Sequence, residues 1–239
     1  MISDERKHEF EAAIRRDIPR NALVEVKTLF PRAAEQADIA VSTSHKTVPD
    51  GLPLSRYRQS RSVGLIRHSI IDEAFEQILT RNGAEFVKSV PIEYAPDEIK
   101  LAPVHLTTGL FGDTMVGFAS HRELHDTPVK NATRRALCYQ NRGLSSDLFH
   151  PPEMFSDRQR MVIIMVRRDP NVLGKIASLT LSVVDSRQET FVYQSNIDEF
   201  LAGYGAESIA PVKRPVVFKT VKGGFKDTNG EASRDEDEK

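Results

Sequence analysis

The stretch LIRHSIIDEAFEQILTRNG, residues 65–83, has the clearest periodicity in the sequence. Its apolar side chains recur mostly at three- and four-residue intervals, which is the spacing of one face of an α-helix; they are Ile66, Ile70, Ile71, Ala74, Phe75, Ile78 and Leu79. Asn82 and Gly83 follow and supply the left-handed residue at which many helices end. The pattern predicts a long central amphipathic helix over residues 65–81.

The chain on either side of this helix predicts strands and shorter helices. Gly112-Asp113 is a short hairpin signal between two apolar runs, and other strand-like runs follow in the second half. The predicted strands are 90–94, 103–111, 114–120, 161–167, 176–184, 189–193 and 215–221. Thr127-Pro128 predicts the start of a helix over 128–141, and Ser195 the cap of a short helix. Because helices and strands do not alternate regularly, we expect an α+β fold with a mostly antiparallel sheet and flanking helices.

The sequence predicts three regions. Residues 1–44 form an N-terminal helical segment, although Pro31 should break or kink any helix that crosses it. Residues 45–222 form the main α+β domain. Residues 39–60, which are rich in Ser, Thr, Pro and Gly, predict a loop or boundary between these two regions. Residues 223–239 form a disordered acidic tail, since they contain one aromatic residue and DEDE near the end.

Composition limits the class of protein. The chain has 239 residues, of which 39% are hydrophobic and 28% charged, and this balance is typical of a packed globular domain. Cys138 is the single cysteine, which excludes an internal disulfide and predicts a buried structural thiol. With no long apolar run and no signal-peptide pattern in MISDERKHEFEAA, we expect a cytoplasmic protein without membrane contact.

A basic segment precedes and enters the predicted helix. It contains Arg56, Tyr57, Arg58, Arg61 and Arg67. Guanidinium groups bind phosphate through planar paired donors, and an aromatic ring between them can stack on a base. The segment therefore predicts binding of phosphate or nucleic acid. The alternative is a solvated loop whose arginines pair with acidic side chains.

A second hypothesis is enzymatic. Helix 65–81, with Glu73 and Glu76, is followed by GAEFVKSVPIEY (83–94). This arrangement resembles the opening of the PD-(D/E)xK nuclease fold. The resemblance implies a divalent metal, with Glu73 or Glu76 and Asp113 as acidic candidates. It covers about a third of the chain and lacks the family's separated Asp and Glu-x-Lys motif.

His121 and His125 are a separate candidate for metal binding. Two imidazoles four residues apart, with carboxylates beside them, have the ligand chemistry of zinc or manganese sites. In an extended segment, however, the two rings would lie roughly 13 Å apart, which is too far for one ion. The alternative is a polar connector before Pro128.

No catalytic motif in the sequence has the spacing that its chemistry requires. The sequence therefore predicts a non-enzymatic regulatory or interaction protein that contacts nucleic acid or a protein partner and needs no cofactor. In its general character, rather than in any one motif, it resembles bacterial proteins linked to phage or to defence. The alternative function is a metal-dependent nuclease with a degenerate PD-(D/E)xK-like core.

Overall fold

The computed structural model describes residues 4–46, 55–91, 101–121, 126–142, 144 and 159–205. The helices are α1 (Asp4–Asp17), α2 (Arg20–Lys46), α3 (Arg56–Arg81), α4 (Ala132–Cys138) and α5 (Ile197–Ala202). The strands are β1 (Glu85–Phe86), β2 (Ser89–Pro91), β3 (Leu101–Pro103), β4 (Gly109–Phe111), β5 (Thr114–His121), β6 (Arg160–Arg168), β7 (Ile176–Val184) and β8 (Phe191–Asn196). Single 3-10 turns follow α4 and α5.

The main sheet has six strands in the order β1-β4-β5-β6-β7-β8, and β2 pairs with β3 in a separate small sheet. Every neighbouring pair is antiparallel except β5 and β6, which run parallel from Thr114↔Arg160 to His121↔Arg167. The predicted α+β class and mostly antiparallel sheet are therefore confirmed. The parallel pair at the centre was not predicted; it follows because the chain leaves β5, passes through α4 and returns alongside β5.

The two faces of the sheet bury different layers. Val116 and Phe118 of β5 belong to the larger core, which packs against α1, α2, α3 and α5. Met115 and Ala119 alternate with them and face a smaller core that contains Leu137 and Cys138 of α4. This alternation is the two-residue period of a strand buried on both faces. Cys138 is buried, as predicted, and burial raises the pKa of its thiol to about 11.

Helix α2 runs without interruption through Pro31, so the predicted break is wrong. A proline inside a helix removes one hydrogen bond and crowds the preceding turn. Burial of the residues on both sides of Pro31 compensates for this lost hydrogen bond and crowding, because Phe30 and Ala33 are each at most 3% exposed within the larger core. Packing of an apolar face therefore outweighs the local preference of one residue.

Helix α2 continues to Lys46 and helix α3 begins at Arg56 rather than at residue 65, so the loop predicted over residues 39–60 is wrong at 39–46 and at 56–60. The Ser55 side chain caps the helix by accepting a hydrogen bond from the Arg58 backbone N–H at 3.4 Å. Phe75 and Ile78 are buried as predicted. Ile66, which was predicted on the buried face, is 36% exposed, and Arg67 occupies the buried position instead.

The starts of the two short helices also differ from prediction. Helix α4 begins four residues after Pro128, because the Asn131 side chain caps it by accepting from the Arg134 N–H at 2.7 Å. Asn196, rather than Ser195, caps α5 by accepting from the Asp198 N–H at 2.9 Å. In both places the residue that caps the helix is an asparagine, which lies one or more residues after the predicted cap.

The predicted strand 215–221 and the predicted tail 223–239 lie outside the described residues. Among the helices that the structure describes, none combines the length and the apolar character needed to cross a membrane.

Candidate nucleic-acid interface

The described side chains in the first half of helix α3 do not belong to the larger core, which includes α3 residues from Ile70 onward. Tyr57 and Phe75 are 18 residues apart, which is five whole turns, so their side chains leave the helix in the same direction. Phe75 is 1% exposed in the larger core, whereas Tyr57 is 75% exposed. On its other side this half of α3 is held by α2, where Val63 packs with Ala37 and Val41. The first half of α3 is therefore a supported helix with one open face.

That open face carries cations and apolar surface. Arg58 and Arg61 are exposed, and Leu65 is 64% exposed. Within the described part of the chain, neither guanidinium has an ion pair or hydrogen bond. Several arginines elsewhere in the described residues are paired with carboxylates, whereas Arg20 and Arg187 are exposed without such a partner; the paired ones include Arg15, Arg16, Arg81 and Arg160. The Arg56 side chain lies outside the described residues.

Arg67 differs from the other arginines of this segment because it is buried, at 6% exposure. Its guanidinium has no hydrogen bond or ion pair among the described residues. Burial, and after it the positive charge of Arg168, lowers the pKa of Arg67 to about 10. The sequence predicted Arg67 as a binding residue but did not predict its burial.

The carboxyl ends of β5 and β6 carry further basic residues, of which His121 and Arg167 are in phase with Ala119 and Met165, on the sheet face opposite α3. His121 pairs with Arg167 in the parallel register. The register of β6 and β7 shifts between Arg167 and Arg168, so Arg168 pairs with Ile176, which packs on the helix side of the sheet. Arg168 is also in phase with Ile164 and Val166, so strand alternation places it on the face of the sheet that α3 covers. The available signal in the sequence was the run MVIIMVRR (161–168), a buried strand that ends in two arginines.

His68 lies on α3 between the exposed residues near its start and the residues of the larger core. Its side chain is exposed, and its ring centroid is 5.4 Å from that of Phe118, at an interplanar angle of 56°. Phe118 is 8% exposed and also contacts the rings of Phe30 and Phe75. His68 therefore marks the boundary between the packed core and the open face of α3.

The residues predicted for metal binding are dispersed in the fold. Glu73 and Glu76 are exposed on α3, and Glu73 accepts a hydrogen bond from Gln77 at 2.9 Å. Asp113 lies in the turn before β5 and His121 at the far end of that strand, about 20 Å or more away by strand geometry. His125 lies outside the described residues.

No group of three or more His, Cys, Asp or Glu side chains in the described ranges could hold a metal ion.

Comparisons with protein-family models, with curated proteins and with solved structures give no match to this chain. The open face of α3, with its exposed arginines, is therefore the main structural indication of function.

Proposed function

We propose that the protein is a non-enzymatic nucleic-acid-binding protein that holds a single strand on the open face of α3. The observation that carries this proposal is the pair of exposed guanidinium groups, Arg58 and Arg61, which have no carboxylate partner in the described part of the chain. Tyr57 stands beside them and is 75% exposed. Phosphate oxygens would supply the acceptors that these groups lack.

The face suits a single strand better than a duplex. Exposed aromatic rings bind nucleic acid by stacking on bases, and a base must be unpaired for its face to be reached. Arg58 and Arg61 are three residues apart on one helix, so their side chains are neighbours and can contact adjacent phosphates. Contacts of this kind position the backbone without reading the sequence.

The overall charge of the chain sets the expected affinity. Formal net charge is −1, so attraction for a polyanion arises from the local cluster and not from the whole molecule. We therefore expect modest affinity at low salt with a strong dependence on ionic strength. Each phosphate neutralised on a single strand contributes a slope of about −0.7 in log K against log salt.

Titration of labelled single-stranded DNA and RNA at several salt concentrations tests the proposal. The double variant Arg58→Ala/Arg61→Ala should bind more weakly and flatten the slope by about 1.4 units. Tyr57→Ala should weaken binding by about 1–3 kcal/mol without changing the slope, because stacking releases no counterions.

The matched control removes the same charge elsewhere. Arg20 and Arg187 are exposed and lie at the start of α2 and in the β7–β8 turn. Arg20→Ala/Arg187→Ala should leave the slope near that of the wild type. Equal losses in both double variants would show that only net charge matters. Absence of binding at low salt, together with capture of a protein through Leu65 and Tyr57, would replace nucleic acid by a protein partner.

A further inference from the structure

We propose that helix α3 of one copy of this chain pairs antiparallel with α3 of a second copy, and that this pairing competes with nucleic acid for Arg58 and Arg61. The pairing uses the charged stripe, the line of α3 side chains that runs from Arg58 to Glu76. The competition rests on the proposed function, whereas the pairing rests only on the exposure, charge and spacing of the residues in the stripe.

The charged stripe lies on the side of α3 that other segments leave open. Arg58 and Glu76 are 18 residues apart, which is five whole turns, so their side chains leave the helix in the same direction. Leu65 and Ser69 lie between them on the same line, because they are seven residues, close to two whole turns, from Arg58 and from Glu76 respectively. All four residues are exposed, and the α3 residues that pack on α2 and the sheet leave the helix in other directions. The stripe is therefore a continuous open surface about 27 Å long.

The stripe divides into a basic half and an acidic half. Arg58 and Arg61 are exposed near the start of α3, whereas Glu76 is exposed and Asp72 partly exposed in its second half. Asp72 follows Arg61 by eleven residues, about three whole turns, so these two lie along the same edge of the stripe. In the described part of the chain, none of the four charged groups has an ion pair or a side-chain hydrogen bond. Both signs of charge are therefore available to a partner.

This division of charge is unfavourable for α3 alone. The amino end of a helix has a partial positive charge and favours acidic side chains, yet the first turn of α3 contains no acidic residue and does contain Arg58. Like charges three or four residues apart also repel, and both Arg58 with Arg61 and Asp72 with Glu76 have this spacing. Beside an antiparallel helix the same division becomes favourable, because the basic half of each helix then faces the acidic half of the other.

The spacing of the charges is self-complementary. A two-fold axis perpendicular to the plane of the two helices, level with Arg67, places Arg58 of one copy opposite Glu76 of the other, because each lies nine residues from Arg67. The same axis brings Arg61 and Asp72 to nearly the same level, since they lie six and five residues from Arg67. Each edge of the stripe meets the same edge of its copy, and the two contacts each occur twice, which gives four pairs of opposite charge. A second copy is therefore the partner that this spacing fits.

The apolar part and the size of the stripe set the expected strength of the dimer. Leu65, which is 64% exposed, lies two residues from the axis, so the two copies of Leu65 are about 6 Å apart along the helices and form the centre of the contact. One helix face about 27 Å long and about 10 Å wide buries less than the roughly 800 Å² per partner of a stable complex. We therefore expect a reversible dimer with a Kd of about 10 μM or weaker, which loses affinity as salt screens the exposed charges.

Sedimentation equilibrium at increasing protein concentration and low salt tests the pairing. The average mass of the wild type should rise toward that of a dimer. Asp72→Lys/Glu76→Lys makes both halves of the stripe basic, and Arg58→Glu/Arg61→Glu makes both halves acidic. Each of these reversed variants should self-associate about tenfold or more weakly than the wild type, because like charges then face each other across the axis.

An equimolar mixture of the two reversed variants is the decisive measurement. In this mixture a basic stripe faces an acidic stripe along its whole length, so heterodimers should form with the wild-type affinity or better. Glu35→Lys/Glu199→Lys makes the basic change at exposed sites on α2 and α5 and is the control for net charge. It should dimerise like the wild type and should not restore wild-type association when mixed with the acidic variant. A wild type that stays monomeric, or a mixture of the reversed variants that stays monomeric, would overturn the pairing.

An oligonucleotide of about six nucleotides separates the pairing from the proposed function. Added in excess to concentrated wild-type protein, it should convert the dimer to a one-to-one complex, because its phosphates and the second copy use the same arginines. If charge reversal breaks the dimer but the oligonucleotide does not bind, the pairing stands and the proposed function fails. If the oligonucleotide binds and the wild type is monomeric at every concentration, the proposed function stands and the pairing fails. Binding of the oligonucleotide to a dimer that persists would overturn the competition.

Discussion

Tyr57 and Phe75 leave helix α3 in the same direction, yet Phe75 is 1% exposed and Tyr57 is 75% exposed. The two residues lie five turns apart, about 27 Å along the axis, and the larger core reaches α3 between them, at Ile70 and Ile71. One stripe of a single helix is therefore core at one end and open surface at the other. Phe75 therefore lies in the part of α3 that stabilises the fold, and Tyr57 lies in the part that is accessible to a partner.

Phe75→Ala should lower the free energy of unfolding by about 3–5 kcal/mol, because the Phe75 ring is lost from the core and leaves a cavity. The ring makes edge contacts with Phe30 at 5.9 Å and Phe118 at 5.5 Å between centroids. Tyr57→Ala on the same stripe is the control and should change stability by less than about 0.5 kcal/mol. Chemical denaturation of both variants measures the difference, and similar values for the two would mean that α3 is not oriented as described.

Arg160→Met should destabilise the fold by about 3–5 kcal/mol, because it leaves the Asp17 carboxylate buried without its ion pair. The Asp17 and Arg160 side chains are 6% and 2% exposed. Adding Asp17→Leu should recover part of the loss, since replacement of both charges removes the unpaired group. Denaturation of both single variants and the double variant tests this coupling; strictly additive losses would contradict it.

The Asp17 carboxylate should also make stability depend on acid. Burial opposes its ionisation, but hydrogen bonds from Arg16, Thr114 and Arg160 outweigh burial and hold the pKa below its usual value. The folded state therefore binds this proton less tightly than the unfolded chain. The stabilisation is present above about pH 4 and is lost as pH falls further.

Asp17→Asn should accordingly make the free energy of unfolding fall less steeply below about pH 4. Denaturation at a series of pH values measures the slope. Asp198→Asn, which removes an exposed carboxylate paired with Lys27, is the control and should keep the wild-type slope. A slope that is unchanged in Asp17→Asn would show that other carboxylates dominate acid unfolding.

Asn141→Ala should cost about 2–4 kcal/mol, because it leaves three buried backbone groups without partners. The Asn141 amide donates to Met161 O at 3.0 Å and Val184 O at 2.8 Å, and its oxygen accepts from the Met161 N–H at 2.8 Å. It thus joins the start of β6 to the end of β7. Asn171→Ala, at an exposed turn, is the control and should be close to neutral in the same denaturation experiment.

The local sequence pattern was sufficient to predict those helices, strands and turns whose conformation depends mainly on their own residues. The spacing of Phe75 and Ile78 determines which face of α3 is buried, and Gly112-Asp113 determines the β4–β5 turn because few other residues adopt its backbone. The strand at 161–167 could be predicted because a continuous apolar run of that length is typical of a buried strand, and the strand at 176–184 because Leu179, Leu181 and Val183 alternate with polar residues. These features depend on neighbours along the chain, which the sequence displays directly.

Tertiary structure alone decided the features that depend on partners distant in sequence. Pro31 stays inside α2 because residues around it pack on the sheet and α3. Arg67 is buried on α3, and Arg168 lies on the face of the sheet that α3 covers because it is in phase with Ile164 and Val166 of the larger core. The sequence by itself identified the arginines of residues 56–67 as a candidate surface. Which of them is exposed and which is buried is a property of packing, because burial is set by what other segments cover and not by the residue's own neighbours along the chain.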